Sequence, residues 1–483
     1  MTPKRLKHWL SGLSLVASLA CPAIAFDDVR LGSTWITNAD GVLEQVNLQD
    51  QVAPEQAVPR STESKGSGEA VNGAATNGSE ASSSEPTVGY LQQQLRCTSI
   101  GAAMESCDIK IYGWLSQGFT WNPDSPDNRF NFPMTFNDRS NEYQMNQIYL
   151  VLEKPVNTEG CCWDLGGRID LLYGTDYYFT TAAGLETHSD GSQKWNSSNG
   201  PRFQFGPAVL YGLAMPQLYA EIFAPVGNGL SIKVGHFYTP MGYETVTATS
   251  NFFYSHTYTH QYFEPFTHTG VLANYTCSKQ LKLFAGVVRG WDNWEDNNEN
   301  ATVMAGFNWT SCDERTTLFY GVTQGDEPGL VQDGDRFYQS VYLTHKFTDR
   351  LTSVTGSDYF VQQDGSATPR GGDAQGFRVQ NAEVYSVYQY LFYEINKCLK
   401  AGVRFEWSRD DDNTRVIPVG GLADGANYFS LTTGVNWRLC ENLLLQPELR
   451  WDWSNFRAGP ARAYDDFSDA NQFTAAVGVL LTF

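Results

Sequence analysis

Two groups of residues in this 483-residue chain stand where they could do chemistry. Charged side chains recur at every second position of apolar runs: Asp164, Arg168 and Asp170 in "WDLGGRIDLL", Lys233 in "LSIKVGHFY", Lys400, Arg404 and Glu406 in "LKAGVRFEW", and Glu448, Arg450 and Asp452 in "LLLQPELRWDW". Lined up on one face of their strands, such groups set a transverse field that orders and selects dissolved solutes. The alternative is mutual pairing across neighbouring strands, which only keeps that face polar.

The second group lies in the polar segment 241–266, within "SNFFYSHTYTHQYFEPF". If this segment folds inward, Phe252, Phe253, Tyr254, His256, Tyr258, His260 and Glu264 form a constriction. Three other readings stand beside it: aromatic packing against a wall, a metal site on His256, His260 and Glu264, or a hydrolase pairing Ser255 with His256 or His260. Adjacent side chains of an extended segment point to opposite faces, which counts against Ser255 with His256. The chain holds no G-x-S-x-G, H-E-x-x-H, Walker or G-x-G-x-x-G context, so we expect no enzyme, cofactor or metal. The acidic runs "WDNWEDNNEN" and "SRDDDN" read as solvated loops before they read as cation sites.

The elements that must hold these residues are strands. The final stretch "NQFTAAVGVLLTF" separates with period two into Phe473, Ala475, Val477, Val479, Leu481 and Phe483 on one face against Thr474, Ala476, Gly478, Leu480 and Thr482 on the other. In the same way Leu399, Ala401, Val403, Phe405 and Trp407 oppose Lys400, Arg404 and Glu406, and Leu443, Leu445, Leu449, Trp451 and Trp453 oppose Gln446, Glu448, Arg450 and Asp452. Sixteen such strands are expected between 109 and 483. The turns "APVGNG", "YTCSKQ", "TSCDER", "KFTDR", "INKCLK" and "RLCEN" alternate with long polar segments. That rhythm is the one of a transmembrane antiparallel β-barrel, with short turns in the periplasm and long loops outside the cell. Pro447 falls on the lipid side of its strand, where only a bulge accounts for it.

Lys4, Arg5 and Lys7 precede an apolar run and Ala23-Ile24-Ala25, the form of a secretory signal cleaved after residue 25. Cys21 as a lipidation site is the weaker reading, because Ser18 replaces the branched aliphatic wanted three residues before it. Without the signal the chain carries 30 basic and 53 acidic residues, net −23. This speaks against nucleic acid as a partner and for a mild cation preference. Residues 26–95 read as a periplasmic extension, in which 51–88, free of aromatic residues, is a disordered linker. The barrel spans 96–483 in an outer membrane of Gram-negative type.

Eight cysteines remain in the mature chain, each ahead of the first strand or at a short turn. Strand order suggests the disulfides Cys277 to Cys312, Cys398 to Cys440 and Cys107 to Cys161, with Cys97 and Cys162 left to pair.

The segments "YGWLSQGFTWNPDSPDNRFNFPMTFNDRSNEYQMNQIYLVLEKP", "GGRIDLLYGTDYYFT" and "GHFYTPMGYETVTATSNFFYSHTYTHQYFEPFTHTGVLA" resemble the OmpL-like putative β-barrel porins. The resemblance implies an outer-membrane porin, a water-filled channel for passive diffusion of small hydrophilic solutes. It also implies that the terminal Phe483 is read by the barrel-assembly machinery, and, by analogy with sixteen-stranded porins, a homo-oligomer. The rival from another class is a structural envelope barrel, stapled by disulfides and plugged, with no transport role.

Overall fold

The computed structural model of the protein describes residues 34–37, 43–46, 90–158, 161–188, 192–196, 210–296, 298–327, 334–369, 377–418 and 425–483. The signal expected over 1–25 and the linker expected over 51–88 lie outside the described residues. Sixteen antiparallel strands form one closed barrel: β1 Lys110–Trp121, β2 Glu142–Lys154, β3 Asp164–Gly174, β4 Gly212–Ala224, β5 Leu230–Tyr238, β6 Thr267–Thr276, β7 Leu281–Val288, β8 Thr302–Thr310, β9 Thr316–Glu327, β10 Gly334–Lys346, β11 Leu351–Pro369, β12 Phe377–Asn396, β13 Leu399–Asp410, β14 Ala426–Cys440, β15 Leu443–Ser454 and β16 Asn471–Thr482. Each strand pairs with the next in sequence. β16 closes on β1 from Ala475 opposite Trp121 to Thr482 opposite Trp114, and Phe483 and Gly113 exchange two backbone hydrogen bonds of 2.9 Å. Closure leaves no open edge on the final apolar strand.

The two faces of the wall follow the sequence alternation. Leu449 and Trp451 are 48% and 46% exposed while Arg450 between them is 1% exposed. Val403, Phe405, Leu431 and Phe473 point outward in the same way, against buried Arg404, Glu406, Thr432 and Thr474. Such a belt in water would cost about 25 cal/mol for each Å² of apolar surface; lipid removes that cost. Among the described residues no helix is long and apolar enough to cross a membrane.

The lumen carries apolar side chains too. Tyr219, Phe284, Phe319, Tyr342, Tyr390 and Phe392 cluster with Phe253 on the inner face of the wall, and Trp114, Tyr149, Leu172, Tyr238 and Phe266 form a second group. The inner face of the wall is therefore aromatic as well as charged.

Four expectations need correction. First, β11 and β12 run far past 361 and begin before 380, pairing as a hairpin from Ser366 opposite Gln380 to Pro369 opposite Phe377. Above the lipid, backbone pairing needs no apolar alternation to show it in the sequence. Second, β7 stops at Val288, because Gly290 takes a φ of +90°. That left-handed turn sends Trp291 inward. Third, Pro447 requires no bulge: the β14–β15 ladder skips Val435 and Asn436 and resumes at Trp437 opposite Leu445 in the same register.

The fourth concerns the cysteines, all eight of which are free thiols. Cys277 does not open β7. Its N–H donates to the Leu281 carbonyl at 2.9 Å, which puts it on the β6 flank of the turn, two strand spacings, or about 10 Å, from the β8 flank that holds Cys312. A disulfide needs a Cα separation below about 7 Å. Arg438 donates its N–H to the Cys398 carbonyl at 2.8 Å, so register sets Cys398 against Arg438 and leaves Cys440 two residues beyond. Cys107 caps the helix ahead of β1, while the Cys161 sulfur lies 3.7 Å from that of Cys162. Cys97 is exposed and free.

Ahead of β1 stand two short helices that no apolar periodicity announced, α1 Tyr90–Leu95 and α2 Ser99–Ser106. Thr98 caps α2 by accepting the Gly101 N–H at 3.0 Å. A short antiparallel pair joins Thr34–Thr37 to Leu43–Val46.

Candidate functional site

Segment 239–266 connects β5 to β6 and, instead of arching into solvent, enters the barrel. The wall it reaches, β13 to β15, lies eight strands away around a sixteen-stranded ring, and so faces β5 and β6 across the lumen. A loop that leaves water gives up the solvent partners of its backbone, and each orphaned group costs about 1–3 kcal/mol. The opposite wall supplies the replacements.

Glu448 accepts the Tyr254 N–H at 3.0 Å and the Ser255 N–H at 3.2 Å. Two residues after Arg404 on the same strand, Glu406 accepts the Tyr258 N–H at 2.8 Å and the Thr259 N–H at 2.7 Å. Carbonyls are met from the same wall: Gln446 donates to Asn251 at 3.1 Å and to Phe252 at 2.9 Å, Arg404 donates to Ser255 at 2.6 Å, and Arg450 donates to His256. From the near wall, Tyr254 donates its hydroxyl to Asn146 at 2.7 Å. Glycines leave room for the rings: a Cβ on Gly402 would lie 2.5 Å from the Phe252 ring, and one on Gly478 2.9 Å from that of Tyr254.

The lumen charges are paired, some within one strand and some across neighbouring strands. Arg168 grips Asp170 at 2.6 and 2.9 Å, and Arg450 grips Asp452 at 2.9 Å; both pairs lie two residues apart on one face of one strand. Asp164 sits at the rim with Lys154 at 3.3 Å. Lys400 pairs with Glu394 at 3.5 Å, also near that rim. Lys233 is buried over the Tyr219 ring, 4.2 Å from its centroid.

Glu244 is the residue that sequence reasoning missed. It belongs to the loop itself, and it accepts from Arg404 at 2.7 Å, from the Tyr390 hydroxyl at 2.8 Å and from the Thr257 N–H at 2.8 Å. Burial pushes its carboxyl up, but the Arg404 guanidinium, with His256 beside it, outweighs burial and holds it well below the usual carboxylate range. The only sequence signal was a lone acid among aromatic and hydroxylic residues. His256 offers Nδ1 to Glu244 at 3.2 Å, and burial lowers its pKa. His260 faces Glu264 at 3.1 Å, whose pKa is raised well above the usual range by burial and by Glu244 and Glu406.

Each histidine is thus taken by its own carboxylate, and among the described residues no group of three or more His, Cys, Asp or Glu is placed to hold a metal ion. The Ser255 hydroxyl accepts a guanidinium N–H from Arg404 at 2.9 Å, where a hydrolytic serine needs a base. Other loops roof the segment: Tyr464 meets the Tyr258 hydroxyl at 3.2 Å, and the Phe136 ring packs at a tilt of 40° against His256 with centroids 4.3 Å apart. In this conformation the lumen-facing Arg404, Glu406, Asp452, Asp358 and Ser340 are all buried. What the arrangement does is seat the loop inside the barrel against the β13 to β15 wall.

A comparison with protein families matches residues 108–483 to the family described as "Putative beta-barrel porin-2, OmpL-like". No curated protein matches. Among solved structures, the outer membrane channel DcaP of Acinetobacter baumannii aligns with a TM-score of 0.47 at 12% identity over 78% of this chain and 97% of that one. OmpT of Vibrio cholerae, folded in vitro, aligns at 0.43 and 11% over 78% and 97%, and OccAB3 of Acinetobacter baumannii at 0.41 and 11% over 78% and 99%.

Proposed function

The chain belongs to the OmpL-like putative beta-barrel porin-2 family, and from that premise we propose that segment 239–266 is the constriction of an outer-membrane porin. The protein is a channel for small hydrophilic solutes, and its throughput is set by how far this loop withdraws from the β13 to β15 wall. The observation that carries the reading is the clamp of Glu448 and Glu406 on four loop N–H groups, with the Arg404–Glu244 ion pair between them. Field lines from charges already paired within the wall largely cancel, so those charges act less as an ion filter than as the seat of the loop.

Three further elements belong to this reading: a signal cleaved after residue 25, an extension on the periplasmic side where the short turns lie, and recognition of Phe483 by the assembly machinery. Free thiols on that rim favour no disulfide-stapled alternative. The test is a planar-bilayer recording from the mature protein folded in detergent. Stepwise openings support a porin; a heat-modifiable barrel that inserts and stays silent at every applied voltage argues for a plugged structural barrel.

A further inference from the structure

On the extracellular side of the constriction, polar atoms that bond to nothing collect on adjacent residues. Arg336 opens β10 and is 2% exposed. Its Nε and Nη2 have no hydrogen-bond partner. Gln362 lies directly across from it on β11, 0% exposed, with both its amide oxygen and its amide nitrogen unpartnered. The Trp291 indole, turned inward by Gly290, stacks on the guanidinium with 4.6 Å to the ring centroid, and its Nε1 is likewise unpartnered. Phe360 completes the wall, 5.5 Å from Trp291 between centroids.

Buried polar atoms without partners are rare, because each gives up its water without a replacement. Five of them on three adjacent residues form a set of unsatisfied donors and acceptors, and their identities say what it suits. Nε and Nη2 form the side edge of the guanidinium, where two N–H bonds run parallel and match the two oxygens of a carboxylate. Among the described residues the acid paired with Arg336 is Glu327, 3.7 Å from Nη1 on the other side, so it leaves that edge open. The indole N–H adds a third donor. The Gln362 amide can both give and take a hydrogen bond, which suits a neutral hydroxyl or amide next to the carboxylate.

We propose that Arg336, Trp291 and Gln362 form a solute subsite for small carboxylates that carry a neighbouring hydroxyl or amide group, on the approach to the constriction. The inference rests on the porin reading in that the bound solute is one the lumen passes. The aromatic faces of Trp291 and Phe360 exclude water and strengthen the charge-assisted pair.

The test uses the mature protein in detergent, titrated calorimetrically with sodium lactate and, at equal ionic strength, with lactamide. Lactate should saturate, with lactamide at least tenfold weaker, because only the carboxylate can make the bidentate charge-assisted pair. Arg336→Gln should weaken lactate at least tenfold with lactamide unchanged, and Trp291→Phe, which removes only the N–H donor, a few-fold. Equal binding of the two probes, or no binding of either, overturns the subsite. Should Arg336→Gln not fold, unchanged lactate affinity in both Trp291→Phe and Gln362→Ala overturns it. Conductance is read in parallel. A conducting channel without saturable lactate binding rejects the subsite alone, whereas Arg336-dependent binding by a barrel silent in the bilayer keeps the subsite and rejects passage.

Discussion

Arg404 of β13 and Glu244 of the loop after β5 meet at 2.7 Å although their strands stand on opposite sides of the barrel. Arg404 is fully buried and its two Nη atoms reach four acceptors: Glu244, the Ser255 carbonyl and hydroxyl, and the Thr432 hydroxyl. A buried ion pair with this degree of hydrogen bonding is a matched part, in which removal of one member leaves the other charge stranded. The pair therefore holds one specific loop position.

That gives the first prediction. Glu244→Gln keeps the shape and removes the charge, stranding Arg404 at a cost of about 3–5 kcal/mol, a shift of a hundredfold or more in the closure equilibrium. Open-channel occupancy should rise accordingly in bilayer recordings, while Lys154→Gln at the exposed rim should leave the trace unchanged.

The pH dependence has a definite sign. Glu244 is depressed in the folded loop by Arg404 and His256 against the pull of burial. A depressed carboxylate contributes stability that is fully present above its unfolded pKa of about 4.3 and is lost only as pH falls through the lower folded value. Groups facing it are Arg404, His256, Tyr390 and Thr257, and burial lowers the pKa of His256. The contribution of the Glu244–Arg404 pair to closure should thus be fully present at neutral pH, with openings from its loss increasing only as pH falls below about 4.3. A rise in openings between pH 7 and 6 would assign the latch to an imidazole instead.

Barrel closure depends on the small size of Gly113. A Cβ there would meet the Tyr149 carbonyl oxygen and lie 2.8 Å from the Phe483 ring. Gly113→Val should prevent β16 from docking on β1, seen as loss of the heat-modifiable band after refolding into detergent. Gly434→Ala, on a wall position where the nearest atom would be 2.8 Å away, should weaken folding less.

The cysteines give a topology test. All eight lie on the rim of the short turns or ahead of β1, so a membrane-impermeant maleimide should label intact cells weakly and permeabilised cells strongly. Since none of the expected pairs is formed, reductant should leave the melting temperature of the folded barrel unchanged. A drop on reduction would restore the disulfides.

The strands were legible because lipid imposes a period of two on every residue that crosses it: Leu449, Arg450, Trp451 and Asp452 declare their faces one by one. Where lipid ends, so does the signal. The upper parts of β11 and β12 and the helices before β1 are held by local hydrogen bonds that any polar sequence can make. The constriction residues were visible as an unusual density of aromatics from Phe252 to Phe263, but their docking partners were not. Glu406 and Glu448 read as pore charges, since alternation reports which way a side chain points and not which loop comes to meet it. Glu244 escaped notice for the same reason. The disulfide pattern failed on a register error of a few residues at Cys277 and Cys440, which decides whether a bond of 2 Å can form.

The most direct measurement of the central claim is the single-channel conductance of the mature protein beside a variant in which residues 247–262 are replaced by a short Gly-Ser link. If the loop closes the lumen, the variant opens in larger and longer steps than the parent. Equal step size and open time in the two would contradict the account, because the loop would then lie outside the path of the ions.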